Sequence, residues 1–112
     1  MAGIFLGKCQ VLENRKVAAG IFRMRVAAPA VAETARPGQF VMVQTGPEPQ
    51  KGGSPLLKRP FSLHRVGQGG EIALLYKVIG VGTRLLSQVR PGESLEILGP
   101  LGKGFSPPPV MP

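Results

Sequence analysis

Pro60-Phe61-Ser62-Leu63-His64-Arg65-Val66-Gly67-Gln68-Gly69-Gly70-Glu71-Ile72-Ala73-Leu74-Leu75-Tyr76-Lys77-Val78-Ile79 decides the fold class of the chain. Two largely apolar runs flank Gly67-Gln68-Gly69-Gly70, which reads as the turn of a hairpin. The first run, 60–66, opens at a proline, which a strand start tolerates because no ladder donor is lost there. The second, 71–79, reads as a long strand buried on both faces.

The same pattern extends outward. Upstream, Gly3 to Asn14 and Ile21 to Val26 read as strands, the latter alternating apolar and basic residues as a strand with one wet face does. Glu13-Asn14-Arg15-Lys16 reads as a polar turn between them, and Pro29 as the end of the second strand. Arg36-Pro37-Gly38 is a turn leading into a short strand, Gln39 to Gln44, and 46–55 is a Gly- and Pro-rich surface loop. Downstream, Leu85, Leu86 and Val89 change the period and predict one short helix over Thr83–Val89, stopped by Pro91-Gly92. Ser94 to Leu98 is a last strand. The reading is all-β, six strands and one short helix in a small antiparallel barrel or sandwich, with no internal repeat.

Composition agrees. Sixteen glycines and twelve prolines in 112 residues favour short elements and tight turns over long helices. No apolar run approaches the roughly 18 residues that span a bilayer, so no membrane association is expected. The amino-terminal apolar stretch is too short for a signal peptide. The single cysteine, Cys9, excludes an internal disulfide framework, a zinc knuckle and a cysteine-held iron–sulfur cluster within this chain, and fits a reducing, cytoplasmic setting. The net charge of +8 suggests a polyanion or phosphorylated ligand. The basic residues are scattered, Trp is absent and Tyr76 is the only tyrosine, so nucleic acid is the less favoured partner.

Candidate chemistry is sparse. His64 stands alone mid-strand, Cys9 has no histidine near it in sequence, and the six carboxylates show no pairing, so neither a catalytic set nor a metal site is assigned. Two segments are richer. Arg59-Pro60-Phe61-Ser62 brings a planar cation, a rigid ring, an aromatic and a hydroxyl into one strand entrance, with Arg59 and Phe61 on one face and Pro60 and Ser62 on the other. Tyr76-Lys77-Val78-Ile79-Gly80-Val81-Gly82-Thr83 carries a strand through a glycine turn into a helix capped by Thr83, where backbone amides suit an anion. It is not the Rossmann fingerprint, because the third glycine and the βαβ setting are missing.

Taken in order, Pro37-Gly38-Gln39-Phe40, Arg59-Pro60-Phe61-Ser62, Tyr76 to Thr83, and Leu98-Gly99-Pro100-Leu101-Gly102-Lys103-Gly104-Phe105 resemble the flavin-binding domain of ferredoxin-reductase-like oxidoreductases. Within that group, Gly82 to Ser87 and the closing Gly-Pro-Leu-Gly-Lys-Gly-Phe are most similar to the electron-transfer subunits of type 1B dihydroorotate dehydrogenases. The resemblance implies a six-stranded Greek-key barrel over residues 1–105 holding FAD, followed by a Pro-rich tail, 106–112, where a nicotinamide-binding domain would begin.

It also implies roles. Arg59 reaches the pyrophosphate, Pro60, Phe61 and Ser62 line the isoalloxazine with Ser62 near its N5, and Leu75, Tyr76 and Lys77 border the ribityl and phosphate region. Gly82 and Thr83 give a second grip on the pyrophosphate. Lys77 stands where the family commonly has arginine, so a bidentate contact becomes a point charge. NAD and a [2Fe–2S] cluster are expected only in a part of the protein absent from this chain. The implied partner is a catalytic dihydroorotate dehydrogenase subunit, with a ferredoxin- or sulfide-linked reductase as the alternative within the family. Outside it stands a flavin-free basic barrel binding RNA. Self-association through the surface that would face the absent domain is also expected, and the chain alone is not expected to turn over.

Overall fold

The computed structural model describes residues 3–36, 38–44, 58–67 and 69–102. The strands are β1 (Phe5–Ala18), β2 (Ile21–Ala27), β3 (Phe40–Gln44), β4 (Lys58–Val66), β5 (Glu71–Lys77) and β6 (Ser94–Leu101), with short helices α1 (Pro29–Thr34) and α2 (Val81–Ser87). All pairings are antiparallel, and the order β1-β2-β5-β4-β3-β6 closes into a barrel. Consecutive strands are neighbours except at β2 to β3 and β5 to β6, the Greek-key crossings, and each crossing carries one of the helices.

Alternation explains the core. Val41 and Val43 of β3, Met24 and Val26 of β2, and Leu95 and Ile97 of β6 are buried while their neighbours are at least partly exposed. Register sets these side chains opposite one another, as in Met24↔Leu74, Val26↔Ile72 and Val41↔Phe61. Leu86 of α2, with Val89 just beyond it, and Val31 of α1 join this core from the crossings.

Several sequence expectations change. Glu13-Asn14-Arg15-Lys16 is not a turn but the continuation of β1, and the chain reverses at Ala19-Gly20, where Gly20 takes a left-handed φ of 71°. Polar residues sit within the strand because they have cross-strand partners. Glu13 accepts hydrogen bonds from Arg23 and Arg25, both at 3.1 Å, and Arg25 donates onward to Glu71 at 2.9 Å. These guanidinium contacts, Arg25 first, hold the Glu13 carboxyl below its usual range, and Glu71 chiefly raises Arg25.

The barrel has two short helices where one was expected. Pro29 ends β2 and at the same time opens α1, since its missing N–H costs nothing in a first turn. β5 stops at Lys77, two residues early, and is buried on both faces only over Ile72-Ala73-Leu74, because Arg25 and Arg65 flank the small Ala73 on the outer face while Leu75 and Lys77 stay exposed. β6 runs on through Gly99-Pro100 to Leu101. Residues 46–55 and 103–112, and with them the expected loop, tail and domain boundary, lie outside the described residues.

Candidate functional site

The site begins as an irregularity in the β4–β5 ladder. The pairs run Val66↔Ile72, Arg65↔Ala73 and Leu63↔Leu74, with a bulge that skips His64. A bulge reverses the parity of the strand before it. Beyond it Leu63 directs its N–H to Gln39 of the β3 side, so by alternation Pro60 and Ser62 turn their backbone edges toward β5. Val78 donates to Gly20 beside β2, so Leu75 and Lys77 turn theirs toward β4. Between residues 58–62 and 75–77 no pairing is made, and the strands splay. Pro60 faces the gap at a position where it forfeits no ladder bond.

Into that gap opens a cleft of about 500 Å³, lined by Arg59, Pro60, Phe61, Ser62, Leu75, Tyr76, Lys77, Ile79, Gly80, Val81, Gly82 and Thr83. All nine residues singled out from sequence therefore meet in one place. Phe61 is buried while Pro60 and Ser62 are exposed, as strand alternation requires, and the splay lets both faces reach the same space. The wall is aromatic: Tyr76 stacks on Phe22 at 5.7 Å and meets Phe61 edge-on at 5.9 Å. Burial pushes the Tyr76 phenol up to about 12, and its hydroxyl donates to Asn14 Oδ1 at 2.7 Å.

The far side of the cleft is the start of α2. Gly80, not Thr83, is the N-cap residue. Thr83 sits in the first turn, where its hydroxyl accepts from the N–H groups of Ile79 (2.9 Å) and Gly80 (3.1 Å) and fixes the strand-to-helix corner. The first helical amide bonded within the turn is Arg84, to Gly80 O at 2.9 Å, so earlier amides are left for other acceptors. Gly82 allows a close approach: a Cβ there would stand 2.5 Å from Arg59 Nε, so the guanidinium lies where a side chain would otherwise be. Arg59 and Lys77 bring cationic side chains to the cleft, and neither has an ion-pair partner among the described residues.

Sequence reasoning did not single out the apolar lip. Ile79 and Val81 line the cleft and are each 78% exposed. The available signal was two β-branched apolar residues flanking Gly80 in a connection rather than in a core. Other candidates lie elsewhere. Gly38-Gln39-Phe40 meets the 98–102 segment, with Gln39 Nε2 donating to Gly102 O at 2.9 Å and Phe40 opposite Leu101, and neither lines the cleft. Pro37 and 103–105 lie outside the described residues. Cys9 is buried, which pushes its thiol up to about 11 and suppresses the thiolate. His64 lies exposed at the bulge, beside a smaller cavity of about 270 Å³ lined with Arg23, Arg25 and Arg65. No helix among the described residues is long and apolar enough to cross a membrane.

No protein-family model matches the chain. It is 43% identical over 109 residues to the dihydroorotate dehydrogenase B (NAD(+)) electron transfer subunit of Desulforamulus reducens, covering 96% of this chain and 39% of that protein. It is 42% identical over 96 residues to the subunit of the same name from a Geobacillus species, covering 85% and 36%. The chain thus spans a little over a third of the length of these relatives. Among solved structures, an NADH-dependent reduced ferredoxin-NADP oxidoreductase superposes with a TM-score of 0.75 at 26% identity, over 88% of this chain and 34% of the other. The Amycolatopsis cytochrome P450 reductase superposes with a TM-score of 0.72 at 24% identity, over 97% and 32%, a likeness of fold alone.

Proposed function

We propose that this chain, which is related to the dihydroorotate dehydrogenase B electron transfer subunits and carries the ferredoxin-reductase-like barrel, binds FAD in the cleft between β4, β5 and α2 as the flavin module of an electron-transfer subunit. The observation behind this reading is the convergence of two cations that have no ion-pair partner among the described residues, an aromatic wall and gap-facing backbone on one opening in an otherwise closed barrel.

The residues fit a flavin dinucleotide. Arg59 and Lys77 offset phosphate charge, Arg59 as a planar fork and Lys77 as a point charge. Gly82 leaves the space in which Arg59 rests beside the free amides of the first turn of α2. Phe61 and Tyr76 supply a rigid apolar wall, and Ser62, Leu75 and Lys77 turn unpaired backbone groups inward to hydrogen-bond a heteroaromatic edge. When bound, FAD supplies the capacity to take up a hydride and release electrons singly, and the protein supplies binding, orientation and electrostatics. In the whole subunit, exchange with NAD(H) and passage through a [2Fe–2S] cluster belong to sequence beyond this span, and the partner is a dihydroorotate-oxidising subunit.

The test is a visible absorption spectrum of the purified chain, before and after addition of FAD and desalting. Retained flavin bands, lost in Arg59→Ala and weakened in Gly82→Ala at an unchanged thermal midpoint, are the expected result. A chain that retains no flavin when supplied with excess FAD overturns the reading, and salt-sensitive RNA retention by that colourless protein would favour the basic-barrel alternative.

A further inference from the structure

Asn14 occupies the middle of β1, opposite Met24, and its side chain reaches two elements far away in sequence. We propose that Asn14 is a positioning residue of the cleft, locking the Tyr76 wall and α2 into one fixed relation through a single side-chain amide. The inference rests on the cleft being the ligand site.

The geometry uses the whole amide. Nδ2 donates to Leu86 O and to Val89 O, each at 2.9 Å, at and just beyond the carboxy end of α2. Oδ1 accepts the Tyr76 hydroxyl at 2.7 Å. A primary amide has two donors and one acceptor oxygen, which matches two carbonyls and one phenol. Aspartate would set negative oxygens against two carbonyls, and leucine would leave all three groups unpaired. α2 is thereby held at both ends, by Thr83 at its start and by Asn14 at its finish, and both ends are tied to the connection or wall that shapes the cleft. A helix cap alone would use only the Nδ2 bonds. The third bond, to a ring that lines the cleft, is what makes Asn14 a link between helix and wall.

Tyr76 is the only tyrosine and Trp is absent, so intrinsic fluorescence reports this one phenol. The experiment compares the 112-residue chain with Asn14→Leu, Asn14→Asp, Tyr76→Phe and the Asn14→Leu/Tyr76→Phe double variant, by amide hydrogen exchange and by titration with FAD. In Asn14→Leu and Tyr76→Phe, exchange in α2 and the 78–80 connection should accelerate on the order of tenfold while the β1–β6 ladder keeps its protection. FAD affinity should fall on the order of tenfold in each, with the double variant losing less than the product of the two. Tyrosine emission should shift in Asn14→Leu as the phenol loses its acceptor.

Tyr76→Phe keeps the ring and its stacking, so it decides the matter if the Asn14 variants do not fold. Unchanged α2 exchange in Tyr76→Phe, or loosening spread evenly over the barrel, overturns the inference. So does unchanged FAD affinity in the variants of a wild type that binds it. If the wild type binds no FAD, the flavin reading fails on its own, and the exchange arm still decides whether Asn14 couples wall to helix.

Discussion

Along one flank β5 pairs with β2 without interruption, from Ile21↔Lys77 to Ala27↔Glu71, while along the other its pairing with β4 ends at Leu63↔Leu74. The same residues 75–77 thus belong to a closed wall on one side and to the rim of a cleft on the other. Barrel closure normally removes free edges. Here the bulge at His64 restores a short length of edge on each side of a gap, and the residues bordering it are the ones equipped to hold an anionic, aromatic ligand. A cleft in a small barrel therefore need not be added to the fold. It can be made by leaving one ladder half zipped.

The sharpest break of that comparison is at the point where the ladder ends. Leu74 is fully buried and Leu75, next to it, is 44% exposed at the cleft. Leu74→Ala should cost about 2–5 kcal/mol of stability, as a truncated core leucine does. Leu75→Ala should change stability by no more than about 0.5 kcal/mol yet weaken FAD retention. Urea unfolding and flavin titration of the pair test this, and equal stability losses would mean that the splay is not an opening but part of the core.

Next in size is the cation. Arg59→Ala should weaken FAD binding roughly ten- to hundredfold, the value of a charge-assisted hydrogen bond, with little change in unfolding midpoint because the side chain is exposed. Arg59→Lys should recover only part of the loss, since the fork geometry is gone. Full recovery by lysine in equilibrium dialysis would show that charge alone matters.

Those two flanks also mark what could be read from sequence. β2, β3 and β6 declare themselves by alternation, and the hairpin by its glycines. Most of the cleft residues could be picked because they lie in two short contiguous segments, 59–62 and 76–83, whose chemistry is local, whereas Leu75 and the ligand roles of Tyr76 and Lys77 rest on the family resemblance alone. Glu13 to Lys16 misled because a polar run reads the same in a turn as in a strand whose partners, Arg23 and Arg25 for Glu13 and Tyr76 for Asn14, come from other strands. α1 is six residues without a side-chain cap, too short for a period to show. The splay itself is tertiary: it depends on which strand lies beside which, and on a parity change at His64 that no local pattern encodes.

The β1–β6 part of the barrel, at Cys9, and the cleft wall, at Tyr76, should also part company at high pH. Cys9, in β1, is raised from 9.0 to about 11 and Tyr76 from 10.0 to about 12, both chiefly by burial. A group whose folded value is raised contributes stability that is complete below its unfolded value and disappears as pH climbs through the folded one. Urea midpoints should therefore decline from about pH 9, through Cys9, and further above pH 10, through Tyr76. Cys9→Ala should delay the onset to the tyrosine range, whereas Tyr76→Phe should leave the onset in place and flatten the later fall. A decline that begins at the same pH in all three proteins would assign it to some other group.

The smallest effect belongs to the outer face of the zipped flank, where Glu13 bridges Arg23 and Arg25. Its carboxyl is held below 4.5, first by the hydrogen bond from Arg25. A depressed folded value contributes stability above the unfolded value, and that contribution is lost as pH falls through the folded one. Glu13→Gln should thus be slightly less stable than wild type at neutral pH, more so at low salt, and the two should converge in acid. Glu71 remains as a second acceptor for Arg25, so the strand register should survive the substitution and the deficit should stay small. A Glu13→Gln protein that also lost FAD would couple the outer ion-pair ladder to the cleft, and the two flanks of β5 could no longer be treated as separate.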